Sequence, residues 1–96
     1  MGILSFFRRK DVLDEDARRA RLLRTGRIAE GTIFDINTDE AGAVTHVFFR
    51  YSISGVDYEA SQALDGAQAQ RPADYSPGAR VVIRYDPRQP GNSVVV

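Results

Sequence analysis

The sequence has no cysteine among its 96 residues. This absence excludes disulfide bonds, thiolate metal sites and a cysteine nucleophile, and it leaves the redox compartment undetermined. Long apolar runs are also absent, since none approaches the roughly 18 residues of a membrane-spanning helix. The run from Ile3 to Phe7 is shorter than the ~7–15-residue core of a signal peptide, and its basic residues follow it instead of preceding it. We therefore expect a cytoplasmic protein.

The chain also lacks a net charge, because its 13 basic and 13 acidic residues cancel. It therefore offers no bulk charge to attract nucleic acid. The charges are unevenly distributed, however. Residues 1–30 hold eight basic and five acidic residues (+3), and the remainder holds five basic and eight acidic residues (−3). The composition, with 43% hydrophobic and 27% charged residues, is that of one small globular domain.

Residues 1–10 form an N-terminal arm, in which an apolar tip precedes a basic triplet. Phe6 and Phe7 are suited to a membrane interface, and Arg8, Arg9 and Lys10 are suited to anionic headgroups. The arm is thus a candidate membrane-surface contact. The alternative is a frayed terminus, or one that folds back onto the domain.

Residues 11–26 predict a helix packed on, or leading into, the domain. Asp11 or Asp14 can cap its start, arginines fill its later turns, and Gly26 follows where a C′ residue belongs. The i,i+4 spacing of Asp14 and Arg18, and of Glu15 and Arg19, favours two ion pairs. We interpret the arginines as matching the helix dipole and forming solvated ion pairs. We expect a narrow stripe to face the domain, consisting of Leu13, Ala17, Ala20 and Leu23 or Arg24.

Residues 27–96 predict a mainly β (small α+β) domain. About five antiparallel strands are expected to curve into a small barrel or rolled sheet. The first strand, 27–36, has apolar residues on both faces, which predicts a central or strongly curved strand with Gly31 at its bend. A long connection at 62–74, containing one helical turn, and a short last strand at 93–96 complete the domain. The predicted core consists of Ile28, Ile33, Val47, Phe49, Tyr51, Ile53, Tyr58, Val81 and Ile83.

The most specific local prediction is a hairpin of residues 44–54 and 56–61 across Ser54-Gly55. With a two-residue loop, apolar residues face one another on one side of the hairpin and polar residues on the other. A slip by one residue would place the polar residues in the core, so the register is well determined. The predicted apolar pairs are Ile53–Val56, Tyr51–Tyr58 and Phe49–Ala60, and the polar pairs are Ser52–Asp57 and Arg50–Glu59.

The stretch 75–87 predicts a turn, an alternating strand and a stop. Pro77-Gly78 has strong turn chemistry, and Asp86-Pro87 ends the strand because proline lacks an N–H for the ladder. Between them Val81, Ile83 and Tyr85 lie on one face and Arg80, Val82 and Arg84 on the other. The residues that we assign to structural motifs are Gly55, Pro77, Gly78, Tyr85, Asp86 and Pro87.

These motifs resemble the bacterial family of domains of unknown function DUF3592. The resemblance covers about residues 26–96 and rests on Gly31-Thr32-Ile33, on the run from Phe49 to Tyr58, and on the block from Pro77 to Ser93. It implies a β-domain that membrane segments commonly flank. This chain departs from that pattern because it lacks a spanning segment. The family has no assigned activity, so the resemblance implies no catalytic residue and no cofactor.

The residues bear on three classes of function. An enzyme is disfavoured because His46, the only histidine, lies about 20 Å along its strand from Ser52, too far for a triad with Asp57. No residue spacing predicts a metal or cofactor site. The preferred hypothesis is a non-catalytic protein-interaction module near the membrane surface, with Val94–Val96 as a candidate edge for a partner strand. A small-molecule ligand is left open.

The alternative is an OB- or SH3-like nucleic-acid-binding module. It would stack bases on tyrosines and bind phosphates with arginines, and the residues that it would use are Arg50, Arg80, Arg84, Tyr51, Tyr58 and Tyr85. The predicted alternation of side chains along each strand disfavours this alternative, because it places these tyrosines on the core side.

Overall fold

The computed structural model describes the backbone of residues 3–96 and the side chains of residues 13–96. A long helix precedes three strands, a short helix, a 3₁₀ turn and two further strands. Their bounds are α1 Ile3–Thr25, β1 Arg27–Thr38, β2 Val44–Ile53, β3 Val56–Ala63, α2 Gly66–Ala69, the 3₁₀ turn Pro72–Tyr75, β4 Arg80–Asp86 and β5 Gln89–Val95. The predicted mainly β class with an N-terminal helix is confirmed.

All five strands belong to one antiparallel sheet with the order β3-β2-β1-β4-β5. β1 is therefore the central strand, as its apolar content predicted. The sheet curls until its two edge strands approach each other. Gly91 of β5 lies beside the Tyr58 ring of β3, and Gln62 of β3 hydrogen-bonds to Val95 of β5. The domain is a nearly closed barrel.

The β2–β3 hairpin has the predicted register throughout. Ile53 pairs with Val56, Tyr51 with Tyr58, and the polar pairs match as well. Ser54 and Gly55 both have positive φ, at 52° and 82°, which is the type I′ turn that suits the twist of a two-residue hairpin. The alternation of side chains and the turn chemistry thus specify the same pairing.

The core of the barrel contains eight of the nine predicted residues, either buried or packed against it. Ile28 is the exception: 65% of it is exposed, so its prediction as core is wrong. Ala29, Gly31 and Ile33 point inward along β1, and Ile28 lies on the outer face opposite Arg84. The core residues that were not predicted are Leu22, Tyr75, Val94 and Val95.

The irregularity of β1 lies at Phe34 and not at Gly31. The register with β2 shifts between Ile33 and Asp35, which makes Phe34 the extra residue of a β-bulge. Gly31 has a different role, because a Cβ there would lie 3.1 Å from the Arg50 carbonyl oxygen of β2. The glycine therefore allows the close approach of two strands, and the bulge turns Phe34 to the outer surface.

Two elements begin earlier than predicted. α1 begins at Ile3 and continues through Asp11 and Asp14, so neither of these residues caps it, and its first turn has no acidic residue. Its end at Thr25, before Gly26, is as predicted. β5 begins at Gln89 instead of Ser93. It includes Pro90, which an edge strand tolerates because one side of its backbone has no strand partner.

The structural motifs lie where the sequence placed them. Gly78 has a φ of +91°, and its N–H donates to the Ile33 carbonyl oxygen at 2.7 Å, which attaches the Pro77-Gly78 turn to β1. β4 then ends at Asp86. The carboxylate of Asp86 accepts a hydrogen bond from the Arg88 N–H at 2.8 Å across Pro87, so this acid shapes the β4–β5 turn.

Candidate functional site

α1 binds the barrel through one face, which we call the contact face and define as Glu15, Arg18, Arg19 and Leu22. These positions follow the i, i+3, i+4, i+7 spacing of one helix face. Arg18 donates to the Asn92 side-chain oxygen at 2.8 Å and to the Ser93 carbonyl oxygen at 2.9 Å. Arg19 donates to the Ala63 carbonyl oxygen at 2.7 Å. The two arginines therefore attach α1 to both edge strands of the sheet.

Glu15 holds the two arginines in these positions. Its carboxylate lies 2.6 Å from the Arg18 guanidinium and 3.0 Å from that of Arg19. The predicted Glu15–Arg19 pair is confirmed, whereas Arg18 pairs with Glu15 and not with Asp14 as predicted. The hydrogen bond from Arg18 is the largest cause that lowers the pKa of Glu15. Burial of the carboxylate opposes this effect, and Arg19 adds to it. The carboxylate is thus held in its charged form, as a brace for both guanidinium groups.

Side-chain amides close the gap between β3 and β5 beneath α1. Because the Val96 N–H bonds to Val82 of β4, alternation along the strand turns the polar groups of Val95 toward β3. The Val95 N–H donates to the Gln62 side-chain oxygen at 2.9 Å, and the Val95 carbonyl accepts from Gln62 and Gln68 at 3.3 and 2.9 Å. Val95 is therefore not a free edge for a partner strand, which contradicts that prediction.

The C-terminal end of α1 is fixed by apolar and polar contacts together. Leu22 is buried, and Arg84 of β4 donates to the Gly26 carbonyl oxygen at 3.0 Å. A Cβ at Gly26 would lie 2.5 Å from the Leu22 carbonyl oxygen, so the close passage from α1 into β1 requires glycine. The last three turns of α1 and the barrel are therefore closely joined.

The predicted contact stripe of α1 lies on the wrong side of the helix. Leu13, Ala17, Ala20 and Leu23, which we call the outer helix face, are exposed, Leu13 by 61% and Leu23 by 45%, and Ala20 and Leu23 border a groove between α1 and the barrel. The prediction failed because apolar spacing was the only criterion, and here arginines bonded to backbone carbonyls make the contact instead. The Phe6–Lys10 side chains of the arm lie outside the residues that the structure describes with side chains.

Three further apolar side chains are exposed on the outer surface of the barrel. Ile28 of β1, Val82 of β4 and Val96, which follows β5, are exposed by 65%, 51% and 48%, and we call them the sheet strip. Val82 and Ile28 line one shallow groove, and Val82 and Val96 line the next. Val96 also lines a groove of about 330 Å³ between α1 and α2, together with Leu23. The sheet strip is thus continuous with the outer helix face.

The residues of the nucleic-acid hypothesis lie on two sides of the sheet. Tyr51 is buried and stacks on Tyr58 with ring centroids 5.5 Å apart, and burial raises the pKa of Tyr51. Its hydroxyl donates to the Pro90 carbonyl oxygen at 2.6 Å. Arg50 lies on the outer side, 4.6 Å from the centroid of the Phe34 ring. One groove of about 410 Å³ is lined by Arg50, Tyr51 and Tyr58, but Glu30, Asp57 and Glu59 line it too, so its net charge does not favour phosphate binding. Arg80, Arg84 and Tyr85 do not line this groove.

The chemistry around the single histidine is equally dispersed. His46 pairs with Ala63, and its Nδ1 lies 3.0 Å from the Thr45 hydroxyl. Ser52 hydrogen-bonds to Asp57 across the hairpin, at the opposite end of β2 from His46. Among the residues that the structure describes, no group of three histidine or acidic side chains is arranged to hold a metal ion.

The functional residues missed from the sequence are Gln62 and Gln68. Gln62 continues the alternation that turns Tyr58 and Ala60 inward, and extending the predicted strand 56–61 by one residue would have included it. Gln68 belongs to a capping box with Asp65 at the start of α2, a signal that is present in the sequence. Neither signal reveals the shared partner, Val95, because that partner is distant in the chain.

Comparison with known proteins gives one match. A family model described as "Domain of unknown function (DUF3592)" matches residues 24–96. No curated protein and no solved structure matches the chain. Within the described residues, no helix combines the length and the apolar character needed to cross a membrane.

Proposed function

The chain belongs to the DUF3592 family of domains of unknown function, and from this premise we propose that it is a non-catalytic protein-interaction module that works beside a membrane surface. The N-terminal arm and α1 contact anionic lipid, and the barrel remains available to a protein partner. One observation carries the proposal. α1 binds its own domain through the contact face and exposes its outer helix face.

This orientation departs from the usual one for a helix on a globular domain, because charged side chains make the contact beside the buried Leu22. Such a helix normally buries its apolar stripe against the core and exposes its charges. Here Glu15, Arg18 and Arg19 bond to one another and to backbone carbonyls, while Leu13 and Leu23 are exposed. A helix that lies in a membrane interface buries its apolar side in the headgroup region. The outer helix face is available for that contact because the domain does not use it.

The sequence before this face supplies a second signal. Phe6 and Phe7 precede the basic triplet Arg8-Arg9-Lys10. Stable attachment to a membrane generally requires two signals, such as an apolar insertion and a polybasic segment. Basic residues near an anionic leaflet contribute about 1 kcal/mol each. The arm and the outer helix face together meet this requirement.

Vesicle flotation tests the proposal. The full chain is mixed with vesicles of phosphatidylcholine alone or with phosphatidylserine added, at low and at physiological salt. We expect it to float with the anionic vesicles only, and less at higher salt, because screening weakens the attraction. The substitutions Arg8→Gln and Arg9→Gln together are expected to reduce binding by roughly 25-fold, at about fivefold for each charge.

The matched control compares the single variants Arg8→Gln and Arg50→Gln. Arg50→Gln removes the same charge from an exposed position on β2. Its binding is expected to remain much closer to that of the wild type than the binding of Arg8→Gln. If the unaltered chain ignores anionic vesicles at low salt, or if both single variants lose binding equally, the arm is not a membrane contact and the proposal fails.

A further inference from the structure

The sheet strip and α1 together form an exposed apolar surface on the outside of the barrel. The three residues of the strip lie on neighbouring strands: Val96 pairs with Val82, and Val82 and Ile28 line the same groove. Leu23 of α1 joins it through the groove that it shares with Val96. Helix and sheet therefore present a single apolar surface. Its grooves of about 330–360 Å³ are shallow and open, which suits a soft, extended surface better than a single small ligand.

Charged side chains of both signs border this apolar surface. Arg80 lies two residues before Val82, on the same face of β4, and lines both grooves that contain Val82. The acids that line the grooves are Asp16, Asp65, Asp74 and Glu30. The Glu30 carboxylate is 4.0 Å from the Arg80 guanidinium, with both side chains largely exposed. An exposed pair at that distance is weak, so Arg80 remains able to bind another anion.

The charges of the whole chain are divided unevenly over the domain. Residues 35–63, which form the end of β1 and the β2–β3 hairpin, carry five acidic residues and one basic residue (−4). The rest of the chain carries the compensating +4. In the sheet order β3-β2-β1-β4-β5, the acidic hairpin lies on one side of β1 and the basic elements on the other. An anionic surface would therefore attract one side of the domain and repel the other.

We infer that the sheet strip is a second lipid-contacting surface, which places the β4 side of the barrel on an anionic bilayer and turns the β2–β3 hairpin away from it. The inference rests on the proposed function, and it adds the orientation of the domain. The acidic hairpin and its exposed tip then face the solvent, where a protein partner can reach them. The division of charge between the two sides of β1 favours an anionic membrane as the occupant of the strip.

A pair of single-cysteine variants tests this orientation. The chain has no cysteine of its own, so each variant carries one labelling site. Val82→Cys places an environment-sensitive fluorophore on the sheet strip, and Val56→Cys places it on the hairpin tip. The two valines are matched, with exposures of 51% and 52%. With phosphatidylserine vesicles, we expect a blue shift and an increase in emission at position 82, and neither change at position 56.

The outcomes separate this inference from the proposed function. If vesicles bind the protein but position 82 remains in water, the arm alone makes the contact and the inference is wrong, although the proposed function stands. If both positions change equally, the orientation is wrong. If position 82 becomes shielded without vesicles while the protein dimerises in sedimentation, a second copy covers the strip and the inference is wrong. If neither the wild type nor the labelled variants bind vesicles, the proposed function and the inference both fail.

Side-chain substitution provides an independent measurement. Ile28→Ser together with Val82→Ser removes two exposed aliphatic groups without disturbing the core. Because each buried methylene group is worth about 0.8 kcal/mol, affinity for anionic vesicles is expected to fall on the order of tenfold or more. Val56→Ser serves as the control and is expected to leave affinity unchanged. Equal affinities for wild type and double variant would overturn the inference.

Discussion

Single residues in this protein make hydrogen bonds that strands usually make, and Gln62 is the clearest case. Its amide both accepts from and donates to the backbone of Val95, at 2.9 and 3.3 Å. A primary amide has the same donor and acceptor groups as a peptide bond. Gln62 therefore continues the hydrogen-bonded ladder from β3 to β5, and it is buried with its bonds satisfied.

Replacing Gln62 by methionine tests this role. Methionine fills a similar volume but leaves the Val95 N–H without an acceptor, and an unsatisfied buried donor costs about 1–3 kcal/mol. We expect Gln62→Met to lower the free energy of unfolding in urea by that amount. Gln70→Met is the control, because Gln70 is exposed. If both variants are equally stable, the amide bridge does not contribute to barrel closure.

At the scale of elements, the pH dependence of the α1 contact follows from Glu15. Its pKa is lowered in the folded protein, mainly by the hydrogen bond from Arg18. The unfolded chain therefore binds a proton at a higher pH than the folded chain does. The stabilisation is complete well above the ordinary value of 4.5 and is lost as the pH falls through the lowered folded value.

Glu15→Gln removes this contribution. We expect the difference in thermal midpoint between wild type and variant to be clear at pH 7 and to shrink toward pH 3. The effect is small, within the ~1 kcal/mol of a partly exposed ion pair, because solvent screens the carboxylate. Glu40→Gln, in the exposed β1–β2 loop, is the control. A difference that stays constant with pH would contradict this account.

The elements also show what the sequence determines. The β2–β3 hairpin was predicted pair by pair because its turn and its alternation are local signals that agree. The outer helix face was assigned to the wrong side because Arg18 and Arg19 find partners 44 or more residues away. Ile28 was placed in the core because the first strand is apolar on both faces, and only its pairing with Arg84 reveals which face is outside.

The candidate site was predictable only in its charge. The basic N-terminal part and the acidic hairpin are visible in the sequence. The sheet strip joins residues from β1, β4 and the C-terminus, which approach one another only through the strand order. No local pattern marks Ile28, Val82 and Val96 as neighbours, so this surface required the fold.

For the whole molecule, the contacts of α1 make helix and barrel one cooperative unit. Arg18 binds β5, Arg19 binds β3, and Arg84 of β4 binds the end of the helix. Releasing α1 would therefore expose the gap that Gln62 bridges. The unfolding of α1 and the unfolding of the barrel can be followed by two different spectroscopic signals. Helical circular dichroism reports chiefly α1, which is 23 residues long against four in α2, and all four tyrosines lie in the barrel.

We expect both signals of the wild-type chain to change at the same urea concentration, as in a two-state transition. Arg18→Ala removes charge-assisted bonds to Asn92 and Ser93, worth about 1.5–3 kcal/mol. The helical signal of this variant should then be lost first, with the two midpoints on the order of 1 M urea apart, since m is about 1–3 kcal/mol/M. Arg21→Ala, which alters an exposed arginine of the same helix, should keep the two midpoints together. Separate transitions in the wild type would show that α1 and the barrel fold independently. Coincident transitions in Arg18→Ala would show that the Arg18 contacts are not what couples the helix to the barrel.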